Sequence, residues 1–293
     1  MRERVGFLGL GVMGRPMAEN LSKAFAVVGF DVQEARLAGL EKVERADSAG
    51  ELARSCPVVC LSLPSAAVVE QVVLGPDGLA GTLREGALLI DLSTSLPSTS
   101  RRIAERLAPR GIAFADAPVS GGELGARSAA LAIMVGAAAP TFERCKPYLS
   151  AMARSVVRVG EVGAGNIAKL VNNMIVGSAF AVIAEGFALA ARNGLDPDTL
   201  YQAMREGWAG SRVLDVSGPA IAAGDYRPGG TIDMLQKDLS YARAVAMECD
   251  MPTPMTAAVL ELLVAAQAAG HGARSQPALF ELWRRPGGDG IAS

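Results

Sequence analysis

Val5-Gly6-Phe7-Leu8-Gly9-Leu10-Gly11-Val12-Met13-Gly14 is the stretch that decides the fold of this chain. A short apolar run leads straight into a turn of the pattern GxGxxG, and residues 16–23 then read as the start of a helix. Between a strand and a helix each glycine has a task of its own. Gly9 permits the tight turn, Gly11 lets a pyrophosphate approach the backbone, and Gly14 lets the helix lie close to the strand. Free N–H groups and the dipole of the helix N-terminus favour negative charge there. A glycine turn is common by itself, so the residues that follow matter. A second apolar run, Ala26-Val27-Val28-Gly29-Phe30, ends in Asp31. That is roughly the 20-residue offset of an acid that accepts hydrogen bonds from the adenosine ribose. Its carboxylate repels a 2′-phosphate, which favours NAD over NADP, although Arg36 a turn further on is able to accommodate one. The expected cofactor contacts are Gly9, Leu10, Gly11, Val12, Met13, Gly14 and Asp31.

Apolar runs recur at residues 58–63, 87–91, 112–116 and 131–135, with helical patterns between them. That alternation predicts an α/β fold whose N-terminal part is a Rossmann-type, doubly wound and largely parallel sheet. The character changes near Gly160. Beyond Gly163-Ala164-Gly165 the chain is rich in Ala and Leu, with breaks expected at Gly194-Leu195-Asp196-Pro197, Gly218-Pro219, Arg227-Pro228-Gly229-Gly230 and Met251-Pro252-Thr253-Pro254. These signals predict a dinucleotide-binding domain over residues 1–161 and an all-helical domain over residues 162–293. The end after Arg285 reads as loosely ordered.

Charge and composition exclude several classes of function. With 28 Lys+Arg against 30 Asp+Glu, the net charge of -2 provides no basic footprint for nucleic acid. Four cysteines without CxxC spacing match neither a zinc site nor a disulfide framework, which points to a reducing, cytoplasmic location. The single histidine, His271, sits between two glycines and reads as a loop residue, so metal cages and triads that need imidazoles are excluded. No convincing export signal follows Met1-Arg2-Glu3-Arg4, because the apolar run behind it breaks into spaced glycines. The apolar stretch over residues 174–191 contains Glu185 and two glycines, and is read as a buried helix rather than a membrane span.

The opening segment from Gly9 to Leu21 closely resembles that of the β-hydroxyacid dehydrogenases, the family of 3-hydroxyisobutyrate dehydrogenase and tartronate semialdehyde reductase. The resemblance continues in family order through Leu63-Pro64, Asp91-Leu92-Ser93-Thr94, Asp116-Ala117-Pro118-Val119-Ser120-Gly121-Gly122, the block from Gly163 to Asn173, and Lys237-Asp238-Leu239. It implies an oxidoreductase transferring a hydride between NAD and a small 3-hydroxy acid, similar to 3-hydroxyisobutyrate, or the matching semialdehyde. Lys169 would be the acid/base, with Asn173 four positions on along the same helical face. A lone helix lysine is usually a solvated surface group; the surrounding motif is what singles this one out. Ser120, Gly121 and Gly122 would surround the substrate carboxylate, although Ser-Gly-Gly also makes a plain turn. Thr94 would touch the nicotinamide ribose and Leu63-Pro64 would press against the cofactor. Lys237 would reach toward both cofactor and substrate, and Asp238 would orient its local helix. Relatives pair through the helical domain, so a homodimer or homotetramer is implied, with no nucleic acid or membrane partner.

Four features depart from the family pattern. Ala129 stands where glycine is usual, Gly229-Gly230 where an aromatic is common, and Ser275-Gln276 where an acidic pair is usual. Arg212 is an unusual charge in a stretch that normally meets substrate, which suggests a substrate with an additional polar or anionic group; a surface arginine is the competing reading. Three alternatives stand beside the hydroxy acid dehydrogenase, and the nearest, a decarboxylating phosphogluconate dehydrogenase, shares the fold and a catalytic lysine but needs a basic phosphate cluster and a longer helical domain. An imine reductase resembles this family but usually lacks a lysine at the position of Lys169. A non-catalytic NAD-sensing or scaffold module would be expected to lose that lysine or to gain an extension.

Overall fold

The computed structural model describes residues 2–227 and 229–284. Its strands are β1 (Arg4–Leu8), β2 (Ala26–Phe30), β3 (Val43–Arg45), β4 (Val58–Leu61), β5 (Leu88–Asp91), β6 (Ala113–Asp116), β7 (Val119–Ser120), β8 (Leu131–Gly136) and β9 (Ala153–Gly160). They form one sheet in the order β3-β2-β1-β4-β5-β6-β8-β7, with β9 on β8. The first six strands are parallel, as βαβ crossovers require, while β8 runs antiparallel to β6 and β7. Strands β3, β7 and β9 carry no apolar run. The first two have three and two residues, and β9 alternates half-buried with exposed positions and includes two arginines.

Both faces of the sheet are covered, and residue alternation shows how. Val5, Phe7, Val58, Cys60, Leu88 and Ile90 enter one apolar cluster. Their neighbours Leu8, Val59, Leu61 and Leu89 enter another. Successive side chains point to opposite faces, so runs apolar at every position suit a strand buried on both sides.

The chain divides into two compact units, Met1–Lys169 and Leu170–Ser293, and the division falls inside the helix Ala164–Arg192. The second unit is helical, with a core that includes Phe180, Phe187, Tyr201, Leu214, Leu235, Leu239 and Leu263. Its helices Pro197–Met204, Arg212–Ala223, Ile232–Met247 and Pro254–Ala268 begin largely where expected. Asp196 caps the first through the Thr199 N–H with Pro197 behind it, Ser211 and Thr231 cap the next two, and Pro254 opens the last.

Two expectations are corrected. Gly218-Pro219 does not break the chain, because the helix Arg212–Ala223 runs through it and ends instead at Gly224, with φ of 62°. Gly218 is there for close packing: a Cβ on it would stand 2.6 Å from the Tyr201 ring. Nor is the long apolar helix buried, since only 33% of its most apolar window is enclosed. Val171, Ile175, Val182 and Leu189, spaced by four, seven and seven, are exposed along one side of it. Pro228, within one of the expected breaks, and the segment after Arg285 lie outside the described residues.

Candidate functional site

In the first unit the expected cofactor residues all follow the carboxyl ends of strands. Gly9 comes after β1, Asp31 after β2, Leu63 and Pro64 after β4, and Thr94 after β5. Ser120 ends β7, with Gly121 and Gly122 directly behind it. Strands β1 and β4 are neighbours, yet the chain proceeds outward from them in opposite directions. Such a switch point leaves a crevice at the carboxyl edge where ligands of open α/β sheets bind.

The three glycines of the turn separate into two kinds. A Cβ on Gly9 would stand 2.3 Å from the Ser62 carbonyl oxygen, and one on Gly14 only 1.8 Å from that of Gly9. Those two are dictated by the protein's packing on itself. At Gly11 the nearest atom would be the Arg36 guanidinium, 3.6 Å away. No packing contact demands that glycine, and its Cα is open apart from the Arg36 side chain. The first amides of the turn are engaged internally: Gly9 N–H donates to Phe30 O (2.9 Å) and Leu10 N–H to Asp31 Oδ2 (2.7 Å). The helix Gly14–Leu21 has no side-chain cap at Met13 and no acidic residue in its first turn, where the Arg15 N–H donates to Gly11 O (3.0 Å).

Beneath the edge lies a polar frame that motif reading did not single out. Asp91 and Asp116 are paired across β5 and β6 and are fully buried. Asp91 Oδ1 accepts from Ser93 N–H (3.0 Å), and Ser93 Oγ accepts from Leu63 N–H (2.8 Å), which ties the loop after β4 to that after β5. Asp116 reaches the start of the helix Ala164–Arg192, where Oδ1 accepts from Gly163 N–H (2.7 Å) and Oδ2 from Asn166 N–H (2.8 Å). Asn166, itself buried, accepts from Ser95 N–H at 2.8 Å and donates to Ser100 Oγ at 3.0 Å. The turn that carries half-buried Lys169 is thereby fastened to the loop that carries Thr94. Burial pushes the Asp91 carboxyl up to about 7, against the pull of its Ser93 hydrogen bonds. Burial likewise raises Asp116 to about 6, opposed by the Gly163 and Asn166 amides. The signal available in the sequence was the aspartate that ends each of the apolar runs at 87–91 and 112–116.

In the second unit Asn173, Lys237 and Asp238 come together. Asn173 Nδ2 donates to Asp238 Oδ2 (2.7 Å), Asn172 Nδ2 donates to Asn173 Oδ1 (2.9 Å), and Lys237 Nζ lies 3.1 Å from Asp238 Oδ1. Asp238 therefore joins two helices and holds both of its expected neighbours, rather than acting on its own helix alone. Arg212 is exposed on the first turn behind Ser211. Ala129 has φ of 52°, the left-handed region that costs a residue with a side chain about 1–2 kcal/mol and that glycine adopts freely. A Cβ on Gly230 would stand 2.9 Å from Nε2 at the flexible end of Gln276. No cluster of three or more His, Cys, Asp or Glu able to hold a metal ion occurs among the described residues.

Comparison with known proteins places these features in context. Residues 4–160 match the NAD binding domain of 6-phosphogluconate dehydrogenase, and residues 163–283 match the NAD-binding domain of NADP-dependent 3-hydroxyisobutyrate dehydrogenase. The chain is 40% identical to 3-hydroxyisobutyrate dehydrogenase of Pseudomonas aeruginosa, over 86% of this chain and 88% of that protein. It is 34% identical to 2-(hydroxymethyl)glutarate dehydrogenase of Eubacterium barkeri, over 99% and 97% of the two chains. Among solved structures, Mycobacterium tuberculosis 3-hydroxyisobutyrate dehydrogenase with L-serine superposes with a TM-score of 0.86 at 31% identity, covering 97% of this chain and all of that one.

Proposed function

The chain belongs to the β-hydroxyacid dehydrogenase family, and from that premise we propose that it oxidises a small 3-hydroxy acid with NAD, or reduces the matching semialdehyde. The observation that carries this reading is the placing of an open Gly11, Asp31, Leu63, Thr94 and Ser120 at or just after the carboxyl ends of strands of one sheet. Residues 1–161 then hold the dinucleotide, and residues 162–293 serve the substrate and self-association.

NAD, when bound, supplies the hydride acceptor. Lys169 takes the proton from the carbinol oxygen and, in the reverse direction, returns it to the carbonyl oxygen. Ser120 and the Gly121 and Gly122 amides hold the substrate carboxylate; both glycines have positive φ, which a turn aiming its amides outward requires. Asn173, its amide held by Asp238, and Lys237 take the role of positioning groups. A substrate with a second anionic group is the finer reading that exposed Arg212 supports, and a dicarboxylic hydroxy acid belongs in the first assays. The cytoplasm is the expected location, because Cys56, Cys60, Cys145 and Cys249 are all unpaired thiols.

Initial rates of NADH formation from 3-hydroxyisobutyrate, serine, threonate and 2-(hydroxymethyl)glutarate test the proposal. Turnover of at least one is expected, with Lys169→Ala lowering kcat by about 10²–10⁴-fold and leaving NADH binding within threefold of wild type. Tight NADH binding with no turnover in either direction would instead favour the non-catalytic sensing module.

A further inference from the structure

Thr94 sits between two neighbours that the fold holds fast. Ser93 N–H donates to Asp91 Oδ1 and Ser93 Oγ accepts from Leu63 N–H, while Ser95 N–H donates to Asn166 Oδ1 (2.8 Å). Asn166 closes the arrangement from the other side: its N–H donates to Asp116 Oδ2 (2.8 Å) and its Nδ2 to Ser100 Oγ (3.0 Å). Asn166, Ser95, Ser100 and Asp116 are all buried to 1% exposure or less. Burial alone is served better by an apolar side chain; what an enclosed amide with every partner in place adds is a single orientation. One residue earlier, a Cβ on Gly165 would stand 2.5 Å from Asp116 O and 2.6 Å from Met134 O, so the start of the helix Ala164–Arg192 is pressed against β6 and β8. Lys169 follows three residues after Asn166, less than one turn and about 4.5 Å further along the helix axis.

We propose that Asn166 is a positioning residue for the reaction: by holding Ser95 N–H it sets the backbone that carries Lys169 against the loop that carries Thr94, and so keeps the acid/base in line with the nicotinamide end of the dinucleotide. Hydride and proton leave from adjacent atoms of the substrate, so the hydride acceptor and the base must stand in a fixed relation, and a misplacement of about 1 Å can cost about 100-fold in rate. The two groups lie on separate elements, one behind β5 and one on the helix Ala164–Arg192. The bond from Ser95 to Asn166 joins those elements across 71 positions of the chain. Without it Lys169 keeps its chemistry and loses its aim, whereas the dinucleotide-binding turn after β1 and the acid after β2 are untouched. The inference rests on the reading of Lys169 as the acid/base and adds a residue through which that lysine is placed.

Wild type, Asn166→Ala, Lys169→Ala and the double variant are compared on whichever of the hydroxy acids above the wild type oxidises, with NADH binding followed by fluorescence and the melting temperature measured in parallel. Asn166→Ala is expected to lower kcat by about 10–100-fold with NADH affinity within about threefold of wild type. The double variant should fall no more than about threefold below Lys169→Ala, because a residue that acts through the lysine has nothing to position once the lysine is gone. A lowered melting temperature with kcat close to that of wild type, or two losses that multiply in the double variant, overturns the proposal and makes Asn166 a folding residue only. Should Asn166→Ala not fold, Ser100→Ala takes its place, since it removes only the acceptor of the Asn166 amide. A loss of kcat of about threefold or more is then expected, absent in the Lys169→Ala background, and an unchanged kcat overturns the proposal. Turnover by Lys169→Ala as fast as wild type, or none by wild type on any substrate, overturns the acid/base reading itself and the role of Asn166 with it.

Discussion

A carboxyl group enclosed under the sheet edge, as Asp91 is, folds more readily neutral than charged. Its value near 7 lies above that of an exposed aspartate, so the folded chain holds the proton more tightly than the unfolded chain. The stability this adds is complete below about pH 4 and is lost as the pH rises toward 7, because over that window folding must retain a proton that the unfolded chain has released. Asn mimics the protonated carboxyl and does not titrate. The melting temperature of Asp91→Asn should therefore gain on wild type by about 2–6 °C between pH 4.5 and pH 8, level above that, and show the smallest difference at low pH. A constant difference across the range would mean that the Asp91 carboxyl titrates alike in the folded and unfolded chain, so that burial does not raise it. Asp116, raised less and held by two amides, contributes the same sign over a narrower window.

The turn between β1 and the helix Gly14–Leu21 combines structural and ligand demands in six residues, and substitution separates them. A methyl group on Gly14 collides with the Gly9 carbonyl oxygen, so Gly14→Ala should cost about 1–3 kcal/mol or more of stability, read as a lowered melting temperature. A methyl on Gly11 meets no atom nearer than 3.6 Å. Gly11→Ala should melt within about 1 °C of wild type yet bind NADH at least tenfold more weakly. Undiminished NADH binding by Gly11→Ala would show that the turn is only a structural one. The fingerprint was legible because it needs only the neighbours of each glycine in the chain. The frame of Asp91, Ser93, Asp116 and Asn166 was not, because the hydrogen bonds that tie its loops together join residues 30 to 71 positions apart.

For the molecule as a whole, the long helix poses the largest question. Ile175, Val182 and Leu189 are 67%, 64% and 66% exposed on one side of it, a stripe of the kind that water does not favour unless another surface covers it. We expect a second copy of the chain to cover it, with a homodimer or homotetramer at micromolar concentration, and Ile175→Glu with Val182→Glu shifting that species to monomer. Light scattering coupled to gel filtration decides the matter. A monomeric wild type would leave the stripe to some other partner, and an unchanged assembly in the double variant would place the contact elsewhere. Both substituted side chains are exposed, so the change tests association rather than folding.

Sequence alone determined the parallel sheet, the glycine turn, the acid at the end of β2 and the helical second half, since each depends on periodicity or on residues close together in the chain. It also marked Lys169, Ser120 and Lys237, through blocks whose order matched a known family. Only tertiary structure decided that Gly11 is open while Gly9 and Gly14 are packed, that Asp31 is neutralised by Arg36, and that Asp116 caps a helix 47 residues away. It also overturned two local readings: Gly218-Pro219 continues a helix because Tyr201 packs on the glycine, and the apolar helix keeps one side exposed. The reason is the same throughout. Hydrophobic period and turn chemistry act over a few residues, whereas burial, charge pairing and close approach depend on which distant groups the fold sets side by side.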